Sequence, residues 1–270
     1  MKKERVIIIG AGLGGLECGY ILAKNGMQVT VLEHEAQVGG CLQTFRRGAA
    51  LFDTGFHYVG ALDEGESLHT LFSYFDLMGL PWKKLDEDCF DEVVIGEDTY
   101  AFANKHQRFY ERMAARFPKE REGLKKYVTF LKEVGDHIFG VFKGDEHKRY
   151  TYSLLSRSAY EFLNETIKDP LLRKVLSGTS LKMELNAPTL PLYTFAQIND
   201  SFIRSAWRLR GGGSQIADKL VEGILSMGGE VKTHAAVTYI KEENGKVVGV
   251  TVNDEDYLET DWVVSSVHPA

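Results

Sequence analysis

The sequence lacks the features that are typical of disulfide-rich, zinc-binding and membrane-spanning proteins. It has only three cysteines in 270 residues, an odd number without C-x-x-C spacing, so neither a disulfide framework nor a zinc site is predicted. It has no apolar run of the roughly 18 residues that a membrane-spanning helix needs. Its histidines have no ligand spacing with carboxylates, and we predict no metal site. These absences favour a reducing compartment, and we expect a cytoplasmic protein.

The sequence also lacks a strong charge of either sign. Its 32 lysines and arginines and 38 aspartates and glutamates leave a formal net charge of −6 at pH 7, which predicts no nucleic-acid partner. What is present is typical of a folded protein, with 44% hydrophobic and 26% charged residues. The length is sufficient for two compact units.

The first 33 residues change their hydrophobic period in the way that a β-α-β unit requires. The β-branched run Val6–Ile9 predicts a strand buried on both faces, and the segment Gly10–Gly15 predicts a turn. A helix is predicted over Leu16–Lys24 and a second strand over Gln28–Leu32. We therefore expect a parallel sheet that begins near the N-terminus.

The rest of the chain is predicted as a helical block followed by a return to strands. Short strands are predicted within 82–102, and helices at 104–142 (interrupted at Pro118), 158–166, 170–177 and 189–205. The C-terminal block predicts a helix (Ser214–Met227), a short strand (Glu230–Thr233), a three-stranded meander (Val237–Asp261) and a final buried strand (Trp262–Val267).

The fold class that follows is α/β. We predict a Rossmann-type domain made of a parallel sheet and a β-meander, formed by residues 1–80 and 206–270. A mostly helical substrate domain, residues 81–205, is inserted into it. The apolar faces of the inserted helices are interpreted as core, and a wall for a long hydrocarbon substrate is the alternative.

The glycine turn after the first strand predicts a nucleotide site. Gly10 permits the tight turn, Gly12 lets the main chain approach a pyrophosphate, and Gly15 lets helix and strand pack closely. Gly14 lies in the same turn and is included among the candidate cofactor-binding residues. Glu33 ends the second strand, where a carboxylate accepts from both ribose hydroxyls and repels a 2′-phosphate, so NADP is disfavoured. The pattern predicts a site for the ADP half of a dinucleotide.

The segment after Glu33 distinguishes FAD from NAD. Val38–Thr44 (VGGCLQT) resembles the flavin-dependent oxidoreductases that include phytoene desaturases, amine oxidases and retinol saturases. The resemblance implies FAD as the cofactor, with Gly39, Gly40 and Thr44 among the residues that bind it.

Cys41 departs from the family pattern, because a basic residue commonly follows the glycine pair. Arg46 or Arg47 is the alternative source of that positive charge. Cys41 can also be interpreted as a redox thiol, but no resolving cysteine is near it in the sequence, and a packed free thiol is favoured.

Two further segments extend the resemblance. Phe52–Gly60 (FDTGFHYVG) resembles the retinol saturase branch more than the others, which implies an isoprenoid or retinoid-like polyene as substrate. Arg210–Ile216 (RGGGSQI) resembles the glycine turn where family members re-enter the FAD domain, and an ordinary helix-start loop is the alternative. Val237 matches a position whose backbone contacts adenine.

His57 is the candidate catalytic residue. By resemblance it follows a segment that runs beside the flavin, where a neutral imidazole orients substrate or relays a proton to carbon. A buried histidine whose ring is satisfied by the backbone is the favoured alternative.

The sequence therefore predicts an FAD-dependent oxidoreductase that saturates or desaturates carbon–carbon bonds of a hydrophobic polyene. We expect the chain to be the N-terminal portion of such an enzyme, whose C-terminal portion is needed to complete it. Peripheral contact with a membrane is left open. The alternatives are a flavin amine oxidase and a non-catalytic lipid-binding chaperone of the Rab GDP-dissociation-inhibitor type.

Overall fold

The structure is a computed structural model that describes residues 3–138, 144–184 and 186–267. The strands are β1 (Arg5–Ile9), β2 (Gln28–Leu32), β3 (Thr44–Arg47), β4 (Ala50–Asp53), β5 (Val59–Gly60), β6 (Trp82–Lys84), β7 (Asp91–Ile95), β8 (Asp98–Phe102), β9 (Ala206–Leu209), β10 (Glu230–Lys232), β11 (Val237–Glu243), β12 (Lys246–Val252), β13 (Asp256–Glu259) and β14 (Trp262–Ser265). The helices are α1 (Leu13–Lys24), α2 (Ser67–Tyr74), α3 (His106–Arg116), α4 (Arg121–Asp136), α5 (Asp145–Leu155), α6 (Ala159–Thr166), α7 (Pro170–Leu176), α8 (Leu192–Arg204) and α9 (Ser214–Ser226). The predicted end of the first helical block at Phe142 lies outside the described residues.

The chain divides into two compact units. Unit 1 comprises Met1–His57, Phe72–Trp82 and Leu209–Ala270, and unit 2 comprises Tyr58–Leu71 and Lys83–Arg208. The segment Tyr58–Leu71 belongs to unit 2, whereas it was predicted to be part of the first domain. The FAD-binding and substrate roles of the two predicted domains stay predictions.

The main sheet of unit 1 is parallel, with the order β10-β2-β1-β14 among the described strands. Most β-branched side chains of the two central strands are buried, and Ile8, Val29 and Val31 are each 0% exposed. Such runs are typical of parallel strands covered on both faces. The predicted α/β fold class with a parallel sheet is confirmed.

The last strand differs from its prediction. β14 was predicted to be buried, but Trp262 is 56% exposed and Val263 and Val264 are only partly buried. Among the described strands β14 pairs with β1 alone, so it lies at an edge of the sheet and one side of it faces solvent.

Helices α1 and α9 pack together against this sheet. α1 begins at Leu13, three residues before its predicted start, so the glycine turn itself supplies the first helical turn. A Cβ atom at Gly19 would lie 3.1–3.3 Å from side-chain atoms of Ile224, Val31 and Ile8. Gly19 therefore lets α1 lie close to both the sheet and α9.

The predicted meander is present as the antiparallel strands β11, β12 and β13. Its first turn uses Asn244 and Gly245, both with positive φ (52° and 74°), as the Asn-Gly pair predicts. A separate antiparallel hairpin, formed by β3 and β4 and absent from the sequence prediction, spans Thr44–Asp53. We call it the 44–53 hairpin.

Unit 2 contains the mostly helical block. The periodic residues of α4 that were interpreted as core are buried, since Leu124, Tyr127, Leu131 and Val134 are at most 1% exposed. α4 also lies close to α8, because a Cβ at Gly135 would fall 1.7 Å from Asp200 Oδ2. No helix of the described residues is both long enough and apolar enough to cross a bilayer.

Asp63 joins several segments of unit 2. Its Oδ2 accepts hydrogen bonds from the ammonium groups of Lys84 and Lys105, each at 2.8 Å, and its Oδ1 accepts from the Trp207 indole at 3.0 Å. Burial raises the pKa of the Asp63 carboxyl, but the bonds from Lys105, Lys84 and Trp207 outweigh burial, and the pKa is lowered overall. The ionised carboxylate therefore helps to hold these segments together.

Candidate dinucleotide-binding site

The turn between β1 and α1 leaves a helix start open to a ligand. Gly12 is the N-cap of α1 without a side-chain hydrogen bond, and the first turn of the helix has no acidic residue. A Cβ at Gly12 or Gly14 would meet no atom within 4 Å, so no described side chain fills the space above the turn. An uncapped helix N-terminus with bare amides binds anions such as phosphate.

Gly10 and Gly15 pack against each other in this turn, next to the carboxyl end of the sheet. Gly10 has φ +97°, and a Cβ at Gly15 would lie 2.0 Å from the Gly10 carbonyl oxygen. Ser266, directly after β14, donates from its hydroxyl to the carbonyls of Ile9 and Gly10 at 3.0 and 3.1 Å. Ser266 was not predicted from the sequence, although the carboxyl end of a strand parallel to β1 is where such a residue is expected.

Glu33 faces the glycine turn. Its Oε2 accepts from the Ala11 amide at 2.7 Å and its Oε1 from the Glu35 amide at 2.9 Å. Each carboxylate oxygen has a further lone pair, so the group can still accept from the hydroxyls of a sugar. The structure therefore holds a partly exposed carboxylate one strand away from the helix start.

The glycine pair 39–40 packs directly on the first turn. The Gly39 amide donates to the Ala11 carbonyl at 2.7 Å, and Gly39 forms a parallel bridge with Gly12. Gly39 and Gly40 have φ of +106° and +52°, and a Cβ at Gly39 would lie 3.1 Å from Ala217 of α9. We call Gly10–Gly15 together with this pair the glycine cradle.

The glycine turn directly before α9, Gly211–Gly213, is held by the base of the 44–53 hairpin. The Gly213 amide donates to Asp53 Oδ1 at 2.7 Å, and the Thr44 hydroxyl donates to Ser214 Oγ at 3.2 Å. A Cβ at Gly212 would lie 2.5 Å from the Thr44 methyl carbon, so the approach requires glycine. Asp53 lies in the sequence motif Phe52–Gly60, which does not predict its bond to Gly213 at the start of α9.

Val237 is the first residue of β11 and lies two residues after Ala235, which is hydrogen-bonded to Glu33. The Ala235 amide donates to the Glu33 carbonyl at 2.8 Å, and Val237 packs, partly buried, against the core cluster that contains Leu32. This brings the segment predicted to contact adenine beside the end of β2.

His57 and Cys41 are both exposed. The favoured interpretations, a buried histidine and a packed thiol, are wrong for these residues, because the loop after β4 and the short turn after Gly40 run along the surface. No cluster of three or more potential metal ligands occurs among the described residues.

A parallel α/β unit with an uncapped helix start, a carboxylate ending the second strand and a glycine cradle defines a Rossmann-type dinucleotide-binding protein. The chain belongs to the family described as flavin containing amine oxidoreductase, whose sequence model matches residues 13–270. This membership confirms the predicted resemblance to flavin-dependent oxidoreductases and the prediction of FAD as the cofactor.

The chain is also similar to curated relatives, and it shares its fold with solved structures. All-trans-retinol 13,14-reductase from Danio rerio is 31% identical over 96% of this chain and 46% of the relative. Prolycopene isomerase from Daucus carota is 23% identical over 98% of this chain and 46% of the relative. A crystal structure of an oxidoreductase from Methanosarcina mazei has a TM-score of 0.68 at 19% identity, over 97% of this chain and 58% of that one. The chain thus spans about half the length of the curated relatives that it matches.

Proposed function

We propose that this chain forms the FAD-binding part of an oxidoreductase that acts on carbon–carbon bonds of a hydrophobic isoprenoid or retinoid-like polyene. The observation that supports the cofactor site best is the open helix start at Gly12 beside the Glu33 carboxylate. The polyene class is supported by the names of the relatives, a retinol reductase and a prolycopene isomerase.

The glycine cradle would hold the ADP half of the cofactor. Backbone amides at Gly12 and Gly14 would bind the pyrophosphate, with the α1 N-terminus adding its partial positive charge. Glu33 would accept from the ribose hydroxyls, and its negative charge disfavours the 2′-phosphate of NADP. Val237 would lie against the adenine.

The second group of contacts would hold the rest of the cofactor. Gly39, Gly40 and Thr44 are the proposed contacts, by their match to the family motif. Because the Gly39 amide is already bonded to Ala11, the glycine pair would contribute close backbone approach and its remaining polar groups. Thr44 would act from the base of the 44–53 hairpin, where its hydroxyl lies next to Ser214.

When bound, FAD supplies the hydride transfer that adds or removes hydrogen at a carbon–carbon bond. The chain's own candidate for proton handling is His57. Its exposed imidazole would orient the substrate or hold a proton near the neighbouring carbon, for saturation or desaturation alike. A hydrophobic substrate of this kind partitions into membranes, so we also propose a cytoplasmic protein with peripheral membrane contact.

The two alternative functions receive less support. The family description names amines, but the two curated relatives reported above are named for retinol and prolycopene. A lipid chaperone that uses no flavin has no need of an intact cradle, whereas Gly10, Gly12, Gly15 and Glu33 are all present here in the arrangement that a dinucleotide requires.

An absorbance spectrum of the purified 270-residue chain tests the proposal. We expect flavin bands in the protein as isolated, or their appearance in the protein fraction after incubation with FAD and removal of free cofactor. FAD should also raise the thermal unfolding midpoint, since a ligand that binds only the folded state stabilises it, and NADP should raise it much less. A colourless protein that gains no thermal stability from excess FAD would contradict the proposal.

A further inference from the structure

The 44–53 hairpin exposes an apolar surface. Phe45 and Phe52 lie opposite each other in register, with stacked rings whose centroids are 5.5 Å apart. These two residues are 42% and 46% exposed, and Leu51, which pairs with Arg46 on the other face of the hairpin, is 40% exposed. The two stacked rings form an exposed apolar pair that is able to contact another apolar phase.

The same hairpin is positively charged in a chain that is acidic overall. Thr44–Phe52 contains Arg46 and Arg47 and no acidic residue, whereas the whole chain has a net charge of −6. Neither arginine forms an ion pair with any residue that the structure describes. The Arg47 guanidinium carbon lies 5.9 Å from the centroid of the Phe45 ring, so charge and ring occupy one face.

The hairpin is fixed at its base and free at its tip. Asp53 and Thr44 are bonded to Gly213 and Ser214, as described above, so the base of the hairpin is held against the start of α9. Residues 45–52 are all exposed, and the turn passes through Gly48, which has φ +59° and where a Cβ would meet no atom within 4 Å. The side chains at the tip of the hairpin are therefore accessible to solvent.

We propose that the 44–53 hairpin docks on an anionic lipid bilayer. The rings of Phe45 and Phe52 enter the boundary between headgroups and acyl chains, and Arg46 and Arg47 bind lipid phosphates. Long arginine side chains can keep their charge at the headgroups while the rings lie deeper. The hairpin is thereby the surface for the membrane contact in the proposed function, and its docking requires no bound FAD.

Vesicle co-sedimentation of the 270-residue chain tests the proposal. We expect binding to phosphatidylcholine vesicles that contain phosphatidylserine, weak binding to phosphatidylcholine alone, and loss of binding at high salt. Since each basic residue contributes about fivefold to binding at an anionic surface, Arg46→Glu with Arg47→Glu should weaken binding by more than about tenfold. Phe45→Ser with Phe52→Ser should weaken it as well.

Matched variants separate the hairpin from general effects of charge and exposure. Lys125→Glu with Lys126→Glu reverses two adjacent exposed charges on α4, and Tyr239→Ser removes a ring that is 62% exposed. Both should bind vesicles as the parent chain does. Circular dichroism should show that the Phe45→Ser, Phe52→Ser variant is folded, and its FAD affinity should be retained.

Three results would overturn the proposal: no binding of the parent chain to anionic vesicles, equal loss in hairpin and control variants, or a hairpin that instead mediates self-association, detected by light scattering without lipid. The outcome is distinguishable from that of the FAD experiment. A chain that binds FAD but no vesicles overturns this inference and the proposed membrane contact, and leaves the FAD-dependent function standing. A chain that binds vesicles but no FAD overturns the FAD-dependent function and leaves this inference standing.

Discussion

Glu33 and Ala11 are joined by a hydrogen bond in which the carboxylate Oε2 accepts from the backbone amide at 2.7 Å. The Ala11 carbonyl in turn accepts from the Gly39 amide, also at 2.7 Å. One residue of the turn thus connects the end of β2 to the glycine pair. The carboxylate is held in position by the protein itself, before any sugar binds.

Glu33→Gln should weaken FAD binding while leaving the fold intact. The amide oxygen can still accept from Ala11, but the NH2 group cannot accept from the Glu35 amide. The charge-assisted bonds to ribose hydroxyls are also lost, and such bonds contribute about 1.5–3 kcal/mol each. We expect a loss of affinity of at least about tenfold, measured by quenching of flavin fluorescence. Glu35→Gln, at an exposed carboxylate two residues away, is the matched control and should bind FAD normally. Equal affinities in the two variants would mean that the ribose is held elsewhere.

Gly12→Ala should mainly reduce FAD affinity, whereas Gly15→Ala should mainly reduce the stability of the fold. A methyl group at Gly12 enters open space and strains no backbone, so the free energy of unfolding should fall by no more than about 1 kcal/mol, the preference of an N-cap for Gly over Ala, while FAD affinity falls. At Gly15 the Cβ would lie 2.0 Å from the Gly10 carbonyl oxygen, and the fold itself should lose about 1–3 kcal/mol. Chemical denaturation without FAD and titration with FAD measure the two effects. Similar stability of both variants would contradict this division.

Asp53→Ala should destabilise unit 1 around the start of α9. The carboxylate accepts from the Gly213 amide at 2.7 Å, and loss of a charged acceptor at a helix N-terminus costs about 1–2 kcal/mol. Asp53→Asn keeps an acceptor oxygen and should recover most of that stability. The free energy of unfolding in urea gives the comparison. An asparagine variant as unstable as the alanine variant would show that the bond to Gly213 is not the important contact.

Asp63→Asn should flatten the acid side of the stability profile. The folded-state pKa of Asp63 is lowered, so its contribution is complete above the ordinary carboxyl pKa of about 4 and is lost as the pH falls through the folded value. Thermal midpoints from about pH 6 to about pH 3 should therefore fall less in the variant than in the parent. Lys84→Met, which removes one of the two lysine partners, should produce a smaller change in the same direction. Parallel profiles for all three proteins would contradict the assignment.

The elements that could be predicted are those whose signals are local. The strand Gln28–Leu32 has its predicted bounds, because its apolar run follows directly on an Asn-Gly helix stop. Helix α5 was missed, because only Thr151 and Leu154 of its residues are buried and its pattern therefore lacks an apolar stripe. The exposure of β14 could not be foreseen either, since a strand's composition does not reveal whether it has one neighbour or two.

The contacts of the candidate site also fall into two groups, local ones that the sequence predicts and long-range ones that it does not. Glu33 and Ala11 are 22 residues apart within one β-α-β unit, and the spacing of that unit was sufficient to place them together. Asp53 and Gly213 are 160 residues apart, and Ser266 and Gly10 are 256 apart. Pairings over such distances depend on how the sheet and hairpin are assembled, and no periodicity in the sequence records them.

The bridge between Gly12 and Gly39 is made by peptide groups alone. In a binding surface built in this way, the size of the side chains at the glycine positions matters more than their polarity. Any residue larger than glycine at these few positions obstructs the surface, whereas the positions between them can vary. The sequence around such a surface can therefore diverge widely while the few glycine positions stay the same.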